Sequence, residues 1–339
     1  GNVGEIVITT YSIASIADSG TGAISLDPKD SLTRETINNT SFDKYGNALT
    51  QAILSEFYTV GAGFAFSEYK AVSSNTYDIH SRVTYSEIRN YNKSDGTDFR
   101  DLQVINYYNY DEFGNSKLQT IDTYSTTIIG SGFVDSKVVE NVYSNAQAAR
   151  RGNASTSTVT RYGSLDHKNA NLIDRTITNT SKFDDSGNAL IQTQDKYVFD
   201  SVFNPIKITH SDITNSNPDA RGDAKNQTIA AYLIDGAAST LQTYQIFTNR
   251  TFDAGHNIVN QKVLTYADLD SKTFLDAQEI RSTNFYSSGV AGAQTIVTYS
   301  DAGMTKIIGA KEITNLNVSS GGNVGEIVIT TYSIASIAD

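Results

Sequence analysis

Phe42-Asp43-Lys44-Tyr45-Gly46-Asn47 stands between two runs of β-favouring residues, and the run that follows extends from Ala48 to Tyr58. Each position has a use in a tight turn. The aromatic Phe42 closes one strand and covers the core beside the turn. The Asp43 side chain can bond back to backbone amides, and Gly46 beside Asn47 readily supplies the positive φ that a short connection needs. The segment therefore reads as a β-hairpin turn.

Three further copies follow: Tyr110-Asp111-Glu112-Phe113-Gly114-Asn115, Phe183-Asp184-Asp185-Ser186-Gly187-Asn188 and Phe252-Asp253-Ala254-Gly255-His256-Asn257. In the last, Gly255 comes one position early. The four copies start 68 to 73 residues apart, which leaves room for several strands between them. Weaker copies occur at Phe199 to Asn204 and Tyr299 to Gly303.

Strand-like segments fill the intervals. Glu5-Ile6-Val7-Ile8-Thr9-Thr10-Tyr11 and Leu102-Gln103-Val104-Ile105-Asn106-Tyr107-Tyr108 are examples. Apolar residues sit on both parities of the second run, as expected of strands partly covered on both faces. Only Asn145 to Arg151, ended by Gly152, resembles a helical turn. The expectation is an all-β chain, an antiparallel hairpin meander in tandem repeats that forms an elongated or coiled sheet. Longer polar stretches, among them Asn92 to Gly96, Asn215 to Asn226 and Ser287 to Gly292, read as loops on an outer rim.

Residues 1–18 return letter for letter as residues 322–339, an offset of 321 residues. Residues 1–321 therefore read as one full period of a tandem array and residues 322–339 as the start of the next. Repeat arrays gain stability from neighbour interfaces, and open sheet edges require a partner. The expected partner is another unit of the same kind, with the repeated segment at the seam. Any secretion signal or anchor is expected outside this window.

Composition narrows the class. The net charge is −11, which disfavours nucleic acid, whose phosphates are met by Lys and Arg. The 20 Tyr and 14 Phe argue against disorder. There is no Cys, so disulfide scaffolds and Cys-ligated metals are excluded. No segment approaches the ~20 apolar residues of a membrane-spanning helix. The balance suits an extracellular or cell-surface protein of bacterial type.

Signals of chemistry are sparse. His80, His167, His210 and His256 show no metal-ligand spacing, and no nucleophile elbow, phosphate loop or dinucleotide fingerprint is present. The expectation is a protein that is not an enzyme and holds no cofactor. The weak ligand candidates are the carboxylates of Asp268, Asp270 and Asp276, which could offer oxygens to Ca²⁺, although their spacing matches no known calcium loop. Tyrosines recurring along the strands fit cross-strand packing better than a platform for glycans.

The aromatic-Asp-x-x-Gly-Asn motif at residues 42–47, 110–115, 183–188 and 252–257 resembles the YD, or RHS, repeats of bacterial surface and toxin proteins. That resemblance implies hairpins joined edge to edge into a long sheet that coils into a hollow shell. The copies are more widely spaced here, and the family's downstream Gly and Tyr pair is reduced to Tyr58, Tyr124, Tyr197 or Tyr266. The favoured function is a structural repeat protein building a β-rich filament, tube or sheath. Alternatives are an adhesin stalk whose loops contact a glycan or host protein, and a shell enclosing a toxin.

Overall fold

A computed structural model describes residues 2–11, 15–18, 23–25, 31–59, 63–219, 221–253, 255–286, 288–318, 322 and 324–333. Residues 1, 12–14, 323 and 334–339 of the repeated segment lie outside them. The strands are β1 (Glu5–Tyr11), β2 (Ser15–Asp18), β3 (Ala23–Ser25), β4 (Ser31–Phe42), β5 (Ala48–Thr59), β6 (Gly63–Tyr77) and β7 (Val83–Tyr91). They continue as β8 (Phe99–Tyr110), β9 (Ser116–Tyr124), β10 (Phe133–Val142), β11 (Thr156–Tyr162), β12 (Leu172–Phe183), β13 (Ala189–Phe199) and β14 (Pro205–Pro218). The last are β15 (Ala224–Asp235), β16 (Ala238–Phe252), β17 (Ile258–Tyr266), β18 (Phe274–Phe285), β19 (Ala291–Tyr299), β20 (Ile307–Val318) and β21 (Val324–Tyr332). Among the described residues there is one short α-helix, α1 (Ala146–Arg150), capped by the Asn145 side chain, whose oxygen accepts from the Ala148 amide.

Nineteen strands make one open antiparallel sheet, and β2 and β3 form a small hairpin beside it. β1 pairs with β4, and from there each strand pairs with its successor as far as β21. The sheet is thus a continuous meander, with β1 and β21 at its two ends.

The hairpin turns follow from the motif. Asp43 Oδ1 accepts from the Tyr45 and Asn47 amides at 2.8 and 2.9 Å, and Oδ2 accepts from Asn47 Nδ2 at 2.9 Å. The same three bonds recur around Asp111, Asp184, Asp253 and Asp200. The fourth motif position takes the left-handed conformation: Gly46, Gly114 and Gly187 have φ of 91°, 87° and 83°. In the 252–257 copy that slot belongs to His256, with φ 64°, and not to Gly255.

The turn also occurs where its sequence is disguised. Asp78 accepts from the His80 and Arg82 amides, and Asp219 from those of Arg221 and Asp223. Tyr286 to Val290 has the same backbone bonds with Gly289 in the left-handed slot. Two stretches expected as rim loops, Asn215 to Asn226 and Ser287 to Gly292, therefore contain ordinary hairpin turns. Four strands lie between successive clear copies, because a divergent turn, or α1, stands midway between them.

The sheet carries little conventional core. One cluster centres on Leu102, Val104 and Tyr124, and another on Ala277, Val297, Tyr299 and Ala310. The opposite face buries Val72, Asn90, Asp101 and Ile105. At the strand ends away from the Asp-Gly-Asn turns, Tyr58, Tyr91, Tyr124 and Tyr266 meet Phe64, Phe99, Phe133 and Phe274 edge-on at 5.2 to 6.0 Å. Such pairs prefer the edge-to-face arrangement because the ring edge is positive and its face negative. The sheet also coils: a Cβ on Gly255, in the turn between β16 and β17, would lie 2.6 Å from the Phe57 ring on β5.

Candidate assembly interface

The sites of interest are the two ends of the sheet, because they carry one sequence. Glu5 to Tyr11 in β1 is repeated as Glu326 to Tyr332 in β21. β1 pairs forward, with Ile6 opposite Ile37, Val7 opposite Thr36 and Ile8 opposite Glu35. β21 pairs backward, with Ile329 opposite Ile313, Val328 opposite Thr314 and Ile327 opposite Asn315.

Direction and face agree at the two ends. The sheet has nineteen antiparallel strands, an odd number, so β1 and β21 run the same way. Cross-strand partners share a face, since opposed residues point their side chains to the same side. Following partners strand by strand from Ile6 leads to Ile327, Ile329 and Thr331 on the same face. These are the counterparts of Ile6, Ile8 and Thr10.

Hydrogen-bonding direction follows from strand direction and face. Gly4 C=O accepts from the Asn39 amide at 2.6 Å, so Gly4, Ile6, Ile8 and Thr10 aim their backbone groups at β4. The counterparts Gly325, Ile327, Ile329 and Thr331 in β21 then aim theirs away from β20, at the open edge. β21 thus presents outward the backbone row by which β1 holds β4.

The turns continue the same order. Neighbouring turns on one side of the sheet are linked: Asn115 Nδ2 donates to Ala149 C=O at 2.7 Å, Asn153 Nδ2 to Gly187 C=O at 3.0 Å and Arg221 Nη1 to Asp253 C=O at 2.8 Å. The motif Asn faces the left-handed Gly of the next turn, with Asn188 Oδ1 2.6 Å from a Cβ on Gly222 and Asn257 Oδ1 3.5 Å from one on Gly289. Asn2 Oδ1 stands in this relation to Gly46, at 2.9 Å. Asn2 therefore stands toward Gly46 as a motif Asn stands toward the glycine of the next turn. The signal in the sequence was the Gly-Asn pair at residues 1–2 and 322–323, preceded at 319–321 by Ser-Ser-Gly and not by an aromatic and Asp.

Several turn carboxyls are held below the ordinary range. Burial pushes Asp43 and Asp111 upward, but the Asn47 and Asn115 donors outweigh it. The Arg82 side chain, with its amide, takes Asp78 to about 2. Their task is to bind their own turn, which leaves few lone pairs for a ligand.

The calcium candidates are not assembled. Asp268 accepts from the Lys272 and Thr273 amides, Asp270 pairs with Lys272 at 2.8 Å, and Asp276 lies in β18 opposite Thr265. Among the described residues no three carboxylate or imidazole side chains converge as a metal site. The local loop takes up the Asp268 oxygens, and Asp276 stands apart from it in β18.

One cluster escaped the sequence reading. The buried Ser136 hydroxyl bonds Asp122 at 2.5 Å and His167 Nε2 at 2.7 Å. The residues are those of a nucleophilic triad, but the order is not. Here the hydroxyl lies between carboxylate and imidazole, whereas a triad needs the imidazole between the other two. With Ser136 fully buried, the trio ties β9, β10 and the loop after β11 together.

No protein-family model and no curated protein matches the chain. Among solved structures, a Tc holotoxin pore of Photorhabdus luminescens is similar at 12% identity over 88% of this chain and 19% of that one, with a TM-score of 0.19. A TcdB2–TccC3 structure is similar at 12% identity over 96% of this chain and 20% of that one, with a TM-score of 0.21. The chain spans about a fifth of their length. Likeness at this level adds nothing to the argument from the sheet itself.

Proposed function

We propose that this chain is a structural β-repeat protein of the cell surface, a unit from which an extracellular filament, tube or sheath is built by edge-to-edge continuation. It acts as scaffold and not as catalyst. The observation that carries this reading is the match of β21 to β1 in sequence, direction, face and outward backbone row. In a longer chain the strand that ends one period would be the strand that opens the next, with β20 on one flank and the next β4 on the other.

The exposure of the end strand favours the same reading. Ile327, Val328 and Ile329 are 55%, 47% and 56% exposed. A long apolar edge strand left open is an association site. A second reading, a shell around a cargo, is favoured by one contact, the seating of the β16–β17 turn at Gly255 against Phe57.

The test compares a chain of two full periods with the single-period chain. The central copy of Glu5 to Tyr11 should be protected from hydrogen exchange on both edges, and the longer chain should melt at a higher temperature. Equal melting together with an unprotected central strand would overturn the reading.

A further inference from the structure

We infer that β21 of one molecule fits the seat of β1 on β4 of a second copy, so that separate chains can link by strand exchange. The inference rests on the edge-continuation reading and adds a partner and a register to it.

The fit is specified to the residue. β1 meets β4 with Glu5 opposite Asn38 and Thr9 opposite Arg34, unbroken between them. Substituting the identical segment places Ile327 opposite Ile37, Val328 opposite Thr36 and Ile329 opposite Glu35 of the second copy. A slip by one residue would turn Ile327 and Ile329 to the opposite face, so the register is fixed by the pleat. Because β21 already aims the corresponding amides and carbonyls outward, it can make these bonds without releasing β20.

Bonds lost by β1 and bonds gained by β21 are the same in kind and number. Connectivity and concentration therefore decide which strand sits on β4. The tethered β1 acts at a high effective concentration and holds its place in dilute solution. β21 of another copy takes the place when β1 is disabled or when copies are crowded.

Proline makes the two edges separable. The Ile8 amide points at β4, so Ile8→Pro removes a bond there and loosens β1. The Ile329 amide points to solvent, where an edge strand tolerates proline, so Ile329→Pro blocks the outward row and spares the pairing with β20. In sedimentation the full-length Ile8→Pro chain should form species of at least twice the monomer mass that grow with concentration. The Ile8→Pro/Ile329→Pro chain should stay monomeric. An Ile8→Pro chain that stays monomeric while its β8 amides remain protected would overturn the inference, as would assembly unchanged by Ile329→Pro.

A second readout needs no damage to β1. The chain has no cysteine of its own. Gly4 and Asn39 form a hydrogen-bonded pair, so Val7 and Thr36 are a non-hydrogen-bonded pair, the closer kind. Mixed Val328→Cys and Thr36→Cys chains should form a disulfide dimer whose yield rises with concentration, several-fold above a Val328→Cys and Glu35→Cys mixture. Equal yields would overturn the register. If the central strand of the two-period chain is protected while neither exchange readout appears, strand exchange fails and continuation stands. If that strand is unprotected, both fall.

Discussion

β8 and β21 are written in similar residues and live differently. Leu102 to Tyr108 in β8 and Glu326 to Tyr332 in β21 each mix β-branched, aromatic and polar residues. In β8, Leu102 is fully buried and Asp101 is 1% exposed; in β21 every residue from Gly325 to Tyr332 is exposed. β8 has β7 and β9 on its flanks, whereas β21 has only β20. In a sheet with so little core, burial comes from neighbouring strands and overlying hairpin ends, and a strand's own apolar content does not secure it.

The largest expected effect sets the scale of this contrast. Leu102→Ala should cost about 2–5 kcal/mol, as deletion of a fully buried leucine does. Ile329→Ala in the single-period chain should cost less than about 0.5 kcal/mol, as surface changes usually do. Denaturant titration of both reads the difference. A comparable loss at Ile329 would break the comparison, and a larger loss at its equivalent in the two-period chain would sharpen it.

Turns should show a smaller contrast. Gly187 has φ 83°, and a Cβ there would lie 2.7 Å from Gln147 C=O in α1. Gly114 has φ 87° with open space around it. Gly187→Ala should cost roughly 2–4 kcal/mol, against roughly 1–2 for Gly114→Ala, where only the left-handed backbone is strained. Thermal melts of the pair separate backbone strain from crowding between turns.

Hydrogen exchange compares the two copies of one strand directly. In β1 the Ile6 and Ile8 amides should be slow and the Val7 and Thr9 amides fast. In β21 the alternation should invert, with Val328 and Thr330 slow and Ile327 and Ile329 fast. Neighbouring rates should differ on the order of a hundredfold where pairing must open first. The same alternation in both copies would contradict the edge assignment.

The smallest effect concerns pH. Asp43, Asp78, Asp111 and Asp184 are held below the ordinary carboxylate range in the folded state. Their contribution is therefore present above that range and is lost as pH falls from about 4 toward about 2, the lower value being that of Asp78. The melting temperature should sag over this window equally in one- and two-period chains, because the turns do not depend on the open edge. Asp78→Asn should flatten part of the sag.

The turn motif was legible because its chemistry is local. Asp, Gly and Asn satisfy one another within five residues, so four copies could be read without a partner in view. The divergent copies were not legible. Ser81 occupies the left-handed slot that glycine usually marks, and Tyr286 stands where Asp usually does. Their backbones are imposed by strands on either side. The Ser136, Asp122 and His167 cluster was hidden for a related reason, since its members come from three places along the chain.

The sequence by itself determined the class of element, the turn chemistry and the identity of the two end strands. These depend on side-chain period and on contacts a few residues apart. Only the tertiary structure decided that those end strands share direction and face. That relation depends on the number of intervening strands and on every bulge between them, and so it is a property of the whole sheet. A single added strand would have reversed one end and left the repeated segment with no matching edge.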